Sequence, residues 1–291
     1  MKKILITGAN SYIGTSFDKW LTQWPDDYSV DTMDMIDGSW REKSFAGYDV
    51  VFHVAGIAHV SADSSEKELY YKINRDLAIE TAEKAKAEGV RQFIFMSSMI
   101  IYGADEPVGK EKVITRDTEP SPVDFYGDSK LQADIAIQNM ADDSFIVAIM
   151  RPPVIYGPGC KGNFPRLVKL ARYALVFPEL KNSRSMLYID NLNYILQKTI
   201  DEEKTGIFFP HNACDLSTAE IIKTLRDIKG KKTYLIKLPK FVMRFFSHFA
   251  LFNKMFGTKR YDISESAVSF VSFREGLKKV IGTTGDTQYE G

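Results

Sequence analysis

Residues 3–14, Lys-Ile-Leu-Ile-Thr-Gly-Ala-Asn-Ser-Tyr-Ile-Gly, decide how the chain is read. A short apolar run ends at Thr7, a tight turn carries Gly8, and a helical pattern follows in which Ile13, Phe17, Trp20, Leu21 and Trp24 share one face. Strand, turn and helix start in this order put backbone N–H groups where the pyrophosphate of a dinucleotide lies. Such loops usually carry three glycines, and here the middle one is Ser11. Just ahead of a helix, serine is a good N-cap, and its hydroxyl can also donate to a phosphate oxygen. The loop residues Gly8, Asn10, Ser11, Tyr12, Ile13 and Gly14 are therefore expected to hold a dinucleotide, with Ser11 costing little.

Twenty residues beyond Gly14, Asp34 ends a second strand, Tyr28–Asp34. A carboxylate at that tip accepts both ribose hydroxyls of an adenosine and repels a 2′-phosphate, which favours NAD over NADP. Asp31 is the alternative on the same strand, and Asp37 is in reach of the adenine amino group. Further apolar runs at 49–56, 91–98 and 145–153 alternate with helical patterns from Leu69 to Gly89 and from Phe125 to Met140. This β-α-β-α rhythm with near-continuous apolar strands predicts a Rossmann-type α/β fold, a doubly wound parallel sheet covered on both faces. Only about fifteen residues separate Asp34 from Asp49, too few for a crossover with a full helix, so the third strand and its helix are expected to be reduced.

After Pro153 the pattern loosens into a loop at 156–162, a helix over 164–175, short strands at 185–189 and 206–210, and a capping-box signal, Ser217-Thr-Ala-Glu220. The expected organisation is a dinucleotide domain, 1–155 with a returning segment 185–212. A small substrate-binding domain of 156–184 and 213–291 closes over the sheet's C-terminal edge, its last ten residues disordered.

Composition narrows the classes. Thirty-eight basic residues balance thirty-eight acidic ones, so no global field recommends nucleic acid or an anionic membrane as partner. Cys160 and Cys214 have no metal-ligand spacing and read as free thiols in a cytoplasmic protein, and no metal site is expected. The first strand starts at once, which leaves no room for a signal peptide. The aromatic stretch 241–256 is broken by Arg244, Ser247, His248, Asn253 and Lys254, and is shorter than the roughly 20 apolar residues of a membrane span. It is expected as an amphipathic helix on the protein body, with a peripheral membrane contact as the sharper alternative.

The chemically loaded motif is Tyr126-Gly-Asp-Ser-Lys130. At i and i+4 of a helix, phenol and ammonium lie on one face. A free Tyr, with a pKa of about 10, is a poor base at neutral pH; a nearby Lys⁺ and an oxidised nicotinamide stabilise its phenolate. Ser98, at the end of a strand, can hydrogen-bond the same substrate oxygen.

Together TGANSYIG, DVVFHVAG, Tyr70-Tyr71-Lys-Ile-Asn74, FIFMSSMIIYG, YGDSK, RPPVIYGPG and the pair Asn163 and Arg184 resemble the extended short-chain dehydrogenase/reductases of the NAD-dependent epimerase/dehydratase family, in its UDP-glucose 4-epimerase-like branch. The resemblance fades beyond about residue 230. It implies Ser98, Tyr126 and Lys130 as the catalytic set. It also implies Ala55 and Gly56 lining the cofactor cleft, Asn74 supporting the adjoining strand, Pro153 near the nicotinamide, and Asn163 and Arg184 on the diphosphate of a sugar nucleotide. A guanidinium also suits phosphate oxygens on its own chemistry, and a surface salt bridge is the alternative for Arg184. Sugar dehydratases of this type place an Asp-Glu pair after the strand-end hydroxyl; here Met99, Ile100 and Ile101 follow Ser98, which disfavours dehydration.

The function implied is an NAD-dependent 4-epimerase of a UDP-linked hexose or N-acetylhexosamine. An NAD(P)H-dependent 4-ketoreductase of surface-polysaccharide synthesis is the alternative, and a non-enzymatic dinucleotide sensor is the third. The resemblance also implies a homodimer paired through the Tyr126 helix and the one before it.

Overall fold

The computed structural model describes residues 1–58, 64–106, 110–179, 182–239 and 256–283. Its centre is a six-stranded sheet built from β1 (Lys2–Thr7), β2 (Tyr28–Met33), β3 (Val50–His53), β4 (Gln92–Met96), β6 (Ile146–Met150) and β10 (Gly206–Phe208), in the order β10-β6-β4-β3-β1-β2. Every pairing in it is parallel. Each residue of β3 and β4 is buried, as expected of strands covered on both faces. Leu5, Val51, Phe93 and Val147 face the helices Leu77–Ala87 and Phe125–Gln138 in one core cluster. On the opposite face Phe17 of the helix Tyr12–Leu21 meets Phe52 edge-on, with ring centres 5.5 Å apart. Gln92 reaches from β4 to the Thr199 carbonyl of the helix Ile189–Asp201.

The link from β2 to β3 is reduced, as its length requires. A single turn of 3₁₀ helix, Ser39–Glu42, replaces the crossover helix, and Trp40 and Phe45 fill the core where a further strand and helix would pack. The helix leading to Gly89 is one continuous run with a wide segment inside it. Lys67–Tyr70 and Leu77–Ala87 flank Tyr71–Asp76, where bonds run i to i+5, as from Leu77 N–H to Lys72 O. Gly89 ends the run with φ +79°, a left-handed conformation that suits glycine.

The chain divides into two compact units, 1–103 with 119–152 and 192–210, and 104–118 with 153–191 and 211–291. Residues 104–118 thus join the second unit, because β5 (Glu111–Ile114) pairs with β13 (Thr258–Tyr261). Within the second unit β7 (Val154–Tyr156) pairs with β9 (Met186–Tyr188), and β8 (Val176–Pro178) with β12 (Tyr234–Ile236). Several boundaries move from the sequence reading. Tyr156 is the buried last residue of a strand, not the start of a loop, and the helix expected to reach Leu175 ends at Tyr173. The capping box is made in full at Ser217 and Glu220. Gly282 and Thr283 lie in the helix Phe273–Thr283, so the expected disorder does not hold for them; the rest of the tail and all of 241–256 except Phe256 lie outside the described residues. No helix among the described residues is long and apolar enough to cross a membrane. Both cysteines are free, Cys160 buried and Cys214 exposed.

His53 closes β3 in full burial, its Nδ1 2.8 Å from Thr7 Oγ1 and its ring between Phe93 and Phe95. Burial, and next the Lys130 charge, hold its pKa down at about 3. The unfolded chain therefore binds a proton near pH 6.5 that the fold refuses, so stability falls as pH drops below about 6.5. Chemical denaturation of His53→Phe against the native protein between pH 7 and pH 4 is expected to show a shallower acid loss in the variant.

Candidate active site

The parallel register lines up Thr7, His53 and Phe95, so the loops leaving β1, β3 and β4 emerge at one edge of the sheet. The first loop is fixed by contacts that only glycine permits. Gly8 has φ +105°, and a Cβ there would lie 2.7 Å from Ala55 N; a Cβ on Gly14 would lie 2.6 Å from Ser11 Oγ and 3.1 Å from Val54 Cγ1. Gly8 N–H and Ala9 N–H donate to Met33 O at the end of β2. Asn10 takes a left-handed φ of 71°. Ser11 caps the helix that Tyr12 and Ile13 begin, its Oγ accepting from Gly14 N–H at 3.0 Å. The missing glycine is thus replaced by a cap.

Asp34 follows β2 and is exposed, while Met33 and Met35 on either side are buried in the core cluster. Its Oδ1 accepts from Ile36 N–H at 2.9 Å. Asp37 accepts from the Ser39 hydroxyl and N–H at 2.7 and 3.0 Å, which holds its carboxyl below the usual range. Asp31, the alternative on the same strand, accepts from the Tyr48 phenol at 2.8 Å. Ile36, between the two acids and 90% exposed, was not singled out by sequence reasoning; an apolar residue stranded between Asp34 and Asp37 was the available signal.

Ser98 starts the turn Met99–Tyr102 and accepts from Ile100 N–H at 3.2 Å. Its side chain also stands beside the Tyr126 phenol. Burial pushes Tyr126 up to about 12, the Ser98 hydrogen bond acting against it. Tyr126 stands in the first turn of Phe125–Gln138, which Asp124 caps by accepting from Gly127 N–H at 2.7 Å. One turn on, Lys130 is buried, its Nζ donating to Met96 O at 2.9 Å and lying 4.9 Å from the Phe95 ring centre. Burial lowers its pKa to about 8, with Asp134 opposing. A Cβ on Gly56 would lie 3.1 Å from this Nζ and 2.9 Å from Asn74 Oδ1. Asn74 sits in the wide segment of its helix and clasps Ile57, accepting from its N–H at 2.9 Å and donating to its carbonyl at 3.0 Å. Lys130, Gly56 and Asn74 therefore form one cluster, and Tyr126, with Ser98 beside it, stands one helical turn from Lys130.

Behind Lys130 lies a buried group that sequence reasoning missed. Arg151 grips Asp134 with two bonds of 2.8 and 2.9 Å and donates to the Tyr102 phenol at 2.7 Å. The signals were present: Asp134 is four residues past Lys130, and Arg151 opens the Arg-Pro-Pro run.

In the second unit, Pro153 is buried and Asn163 is the exposed first residue of the helix Asn163–Tyr173. Arg184 pairs with Asp105 at 2.7 Å and donates to Gly257 O at 2.9 Å. Burial lowers its pKa, Asp105 opposing. Among the described residues no group of three or more His, Cys, Asp or Glu could hold a metal.

Residues 4–206 match the model of the NAD dependent epimerase/dehydratase family. The chain belongs to that family. It is 30% identical over 293 residues to a UDP-glucose 4-epimerase of Vibrio cholerae, a match covering 91% of this chain and 88% of the relative. It is 24% identical over 259 residues to an N-acetyl-alpha-D-glucosaminyl-diphospho-ditrans,octacis-undecaprenol 4-epimerase of Escherichia coli O157:H7, covering 81% and 75%. Among solved structures, the fold is shared with a UDP-glucuronic acid 4-epimerase from Bacillus cereus in complex with NAD, at TM-score 0.73, 20% identity, and 97% and 98% coverage. It is also shared with a dTDP-4-dehydrorhamnose reductase from Bacillus anthracis in complex with NADP, at TM-score 0.72, 20% identity, and 98% and 100% coverage.

The burial of Lys130 has a stability cost with a definite pH window. Because its folded pKa of about 8 lies below the ordinary 10.5, the charged form destabilises the fold by about 3 kcal/mol below pH 8, and the penalty fades between pH 8 and 10.5. In urea melts, Lys130→Met is expected to gain most relative to the native protein below pH 8 and to lose that gain as pH approaches 10.5. At the loop, Ser11→Gly exchanges one N-cap for another at a cost of a few tenths of a kcal/mol, so NAD affinity by calorimetry is expected to change less than about tenfold.

Proposed function

We propose that the chain is an NAD-dependent nucleotide-sugar 4-epimerase, acting on a UDP-linked hexose or N-acetylhexosamine by transient oxidation at C4. The observation that carries this reading is the Tyr126 phenol beside Ser98, one helical turn from a buried ammonium, with Met99, Ile100 and Ile101 after Ser98 where a dehydratase needs acids.

The residues present fit the dinucleotide. Loop N–H groups at the start of a helix and the Ser11 hydroxyl suit a pyrophosphate, and exposed Asp34 suits a ribose diol and disfavours a 2′-phosphate. Asp37 would serve the adenine, and Ala55, Gly56 and Lys130 would line the nicotinamide end. What the dinucleotide supplies is reversible hydride acceptance at C4 and a fixed positive charge. The rest is work of the chain. Tyr126 Oη takes the proton of the C4 hydroxyl and returns it, Ser98 Oγ holds the same oxygen, and the Lys130 ammonium lowers the cost of the phenolate. Asn163 and Arg184 bind the substrate diphosphate, for which Arg184 would exchange or share its pairing with Asp105.

We place the enzyme in the cytoplasm, where two unpaired thiols are stable, and in polysaccharide biosynthesis. We also infer a homodimer through the helices that carry Tyr70 and Tyr126, a pairing supported by the exposed Leu69 and Ile135 on them.

Incubation with UDP-glucose or UDP-N-acetylglucosamine and no added cofactor is expected to yield the 4-epimer, followed by NMR. Tyr126→Phe is expected to lower kcat by at least about 100-fold with the fold intact. Absence of any 4-epimer, together with mole-for-mole oxidation of NAD(P)H by a 4-keto sugar nucleotide, would assign the chain to the ketoreductases instead.

A further inference from the structure

We propose that the second unit carries a docking face for an anionic lipid bilayer, formed by the paired strands β8 and β12. The two run parallel with Val176 opposite Tyr234 and Ile236 opposite Pro178. Bonds from Tyr234 N–H to Leu175 O and from Glu179 N–H to Ile236 O, both 2.8 Å, extend the ladder at either end. One face of this ribbon rests on the interior, where buried Phe177 meets Phe256 with ring centres 5.9 Å apart. The other face presents Val176, Tyr234 and Ile236, with Tyr173 and Leu175 beside them, exposed from 44% at Ile236 to 78% at Tyr173. Parallel strands are ordinarily covered on both faces. A run of large apolar side chains left open on one of them marks a contact surface.

The face is preformed. Buried Arg226, from the helix Thr218–Ile228, donates to the carbonyls of Ala171 and Arg172 ahead of β8 and of Lys232 ahead of β12. One guanidinium thus fixes both strand entries, and the apolar side chains stay aligned.

Charge selects the occupant. The chain as a whole is neutral, yet residues 166–179 and 227–239 contain seven lysines and arginines against two acids, Glu179 and Asp227. Lys231, Lys232 and Lys237 are exposed next to Tyr234 and Ile236. Apolar side chains ringed by cations, with tyrosines that are apolar in body and polar at the tip, match the boundary between acyl chains and anionic headgroups. A second copy would bring the same cations against these, which disfavours self-association through this face. The neutral overall composition hides the patch, because acids elsewhere in the chain cancel it in the sum.

The test is co-flotation of the full-length chain with vesicles of phosphatidylcholine and phosphatidylglycerol in equal parts, against vesicles of phosphatidylcholine alone. Flotation is expected with the mixed vesicles at low salt and its loss at about 1 M salt, where the screening length is near 3 Å. The doubles Leu175→Ser/Ile236→Ser and Lys231→Glu/Lys237→Glu are each expected to bind about tenfold less while keeping the native circular dichroism and thermal midpoint. Failure of the native chain to float would overturn the proposal. So would flotation of both variants as strong as native, which would assign binding to another segment such as 240–255. Native self-association abolished by the variants would assign the face to a second copy and overturn it equally.

Discussion

The first unit is organised around one buried ammonium. Lys130 Nζ donates to Met96 O at the end of β4, lies against the Phe95 ring, and sits where Gly56 leaves room beside Asn74. That single group ties the helix Phe125–Gln138 to the end of β4 and lies beside the loop that leaves β3. A charge so placed costs stability at neutral pH. In the proposed mechanism it is tolerated because its position, one turn from Tyr126, is where a phenol needs a neighbouring charge. Asp134, held by Arg151 and Tyr102, keeps the pKa from falling further. In the proposed mechanism, stability and chemistry pull in opposite directions at this residue, and the surrounding hydrogen bonds moderate the conflict.

The backbone around this ammonium is shaped by close approaches. Gly8 lets the first loop come against Ala55, Gly14 lets the first helix come against Val54, and Gly56 lets the third loop pass Lys130. Each glycine marks a place where two elements meet nearer than a methyl group allows. Together they bring the ends of β1, β3 and β4 close to one another while their strands stay in register.

What the sequence made legible follows from locality. The β1 loop, the second-strand acid, Ser98 and the Tyr126–Lys130 pair each carry their signal within a few residues, as strand, turn, cap or i,i+4 spacing. Even the truncated link to β3 was readable, since length alone forbids a crossover helix. The second unit was far less legible. β5 is four residues long and its partner β13 lies beyond residue 257; β8 and β12 have three residues each and are separated by more than fifty. Pairings so short and so distant leave no local periodicity. For the same reason the partner of Arg184, Asp105, could not be read, because the bond joins two segments remote in sequence. The Asp134–Arg151–Tyr102 group escaped differently: its members were visible, but nothing local said that three polar side chains would be buried together.

The shortened link between β2 and β3 has a consequence for the sheet itself. With no strand beyond it in the described sheet, β2 is an edge whose outer N–H and C=O groups offer a template for another chain. In a fuller fold a neighbouring strand would occupy that side. Here the protection falls to the side chains: Asp31, in the middle of the edge and held by the Tyr48 phenol, sets a negative charge along the line a second β2 would have to follow. A second copy pairing edge to edge would bring one such carboxylate toward the other. With the link shortened, the defence against fibrous association rests on charge rather than on backbone, and salt screens it.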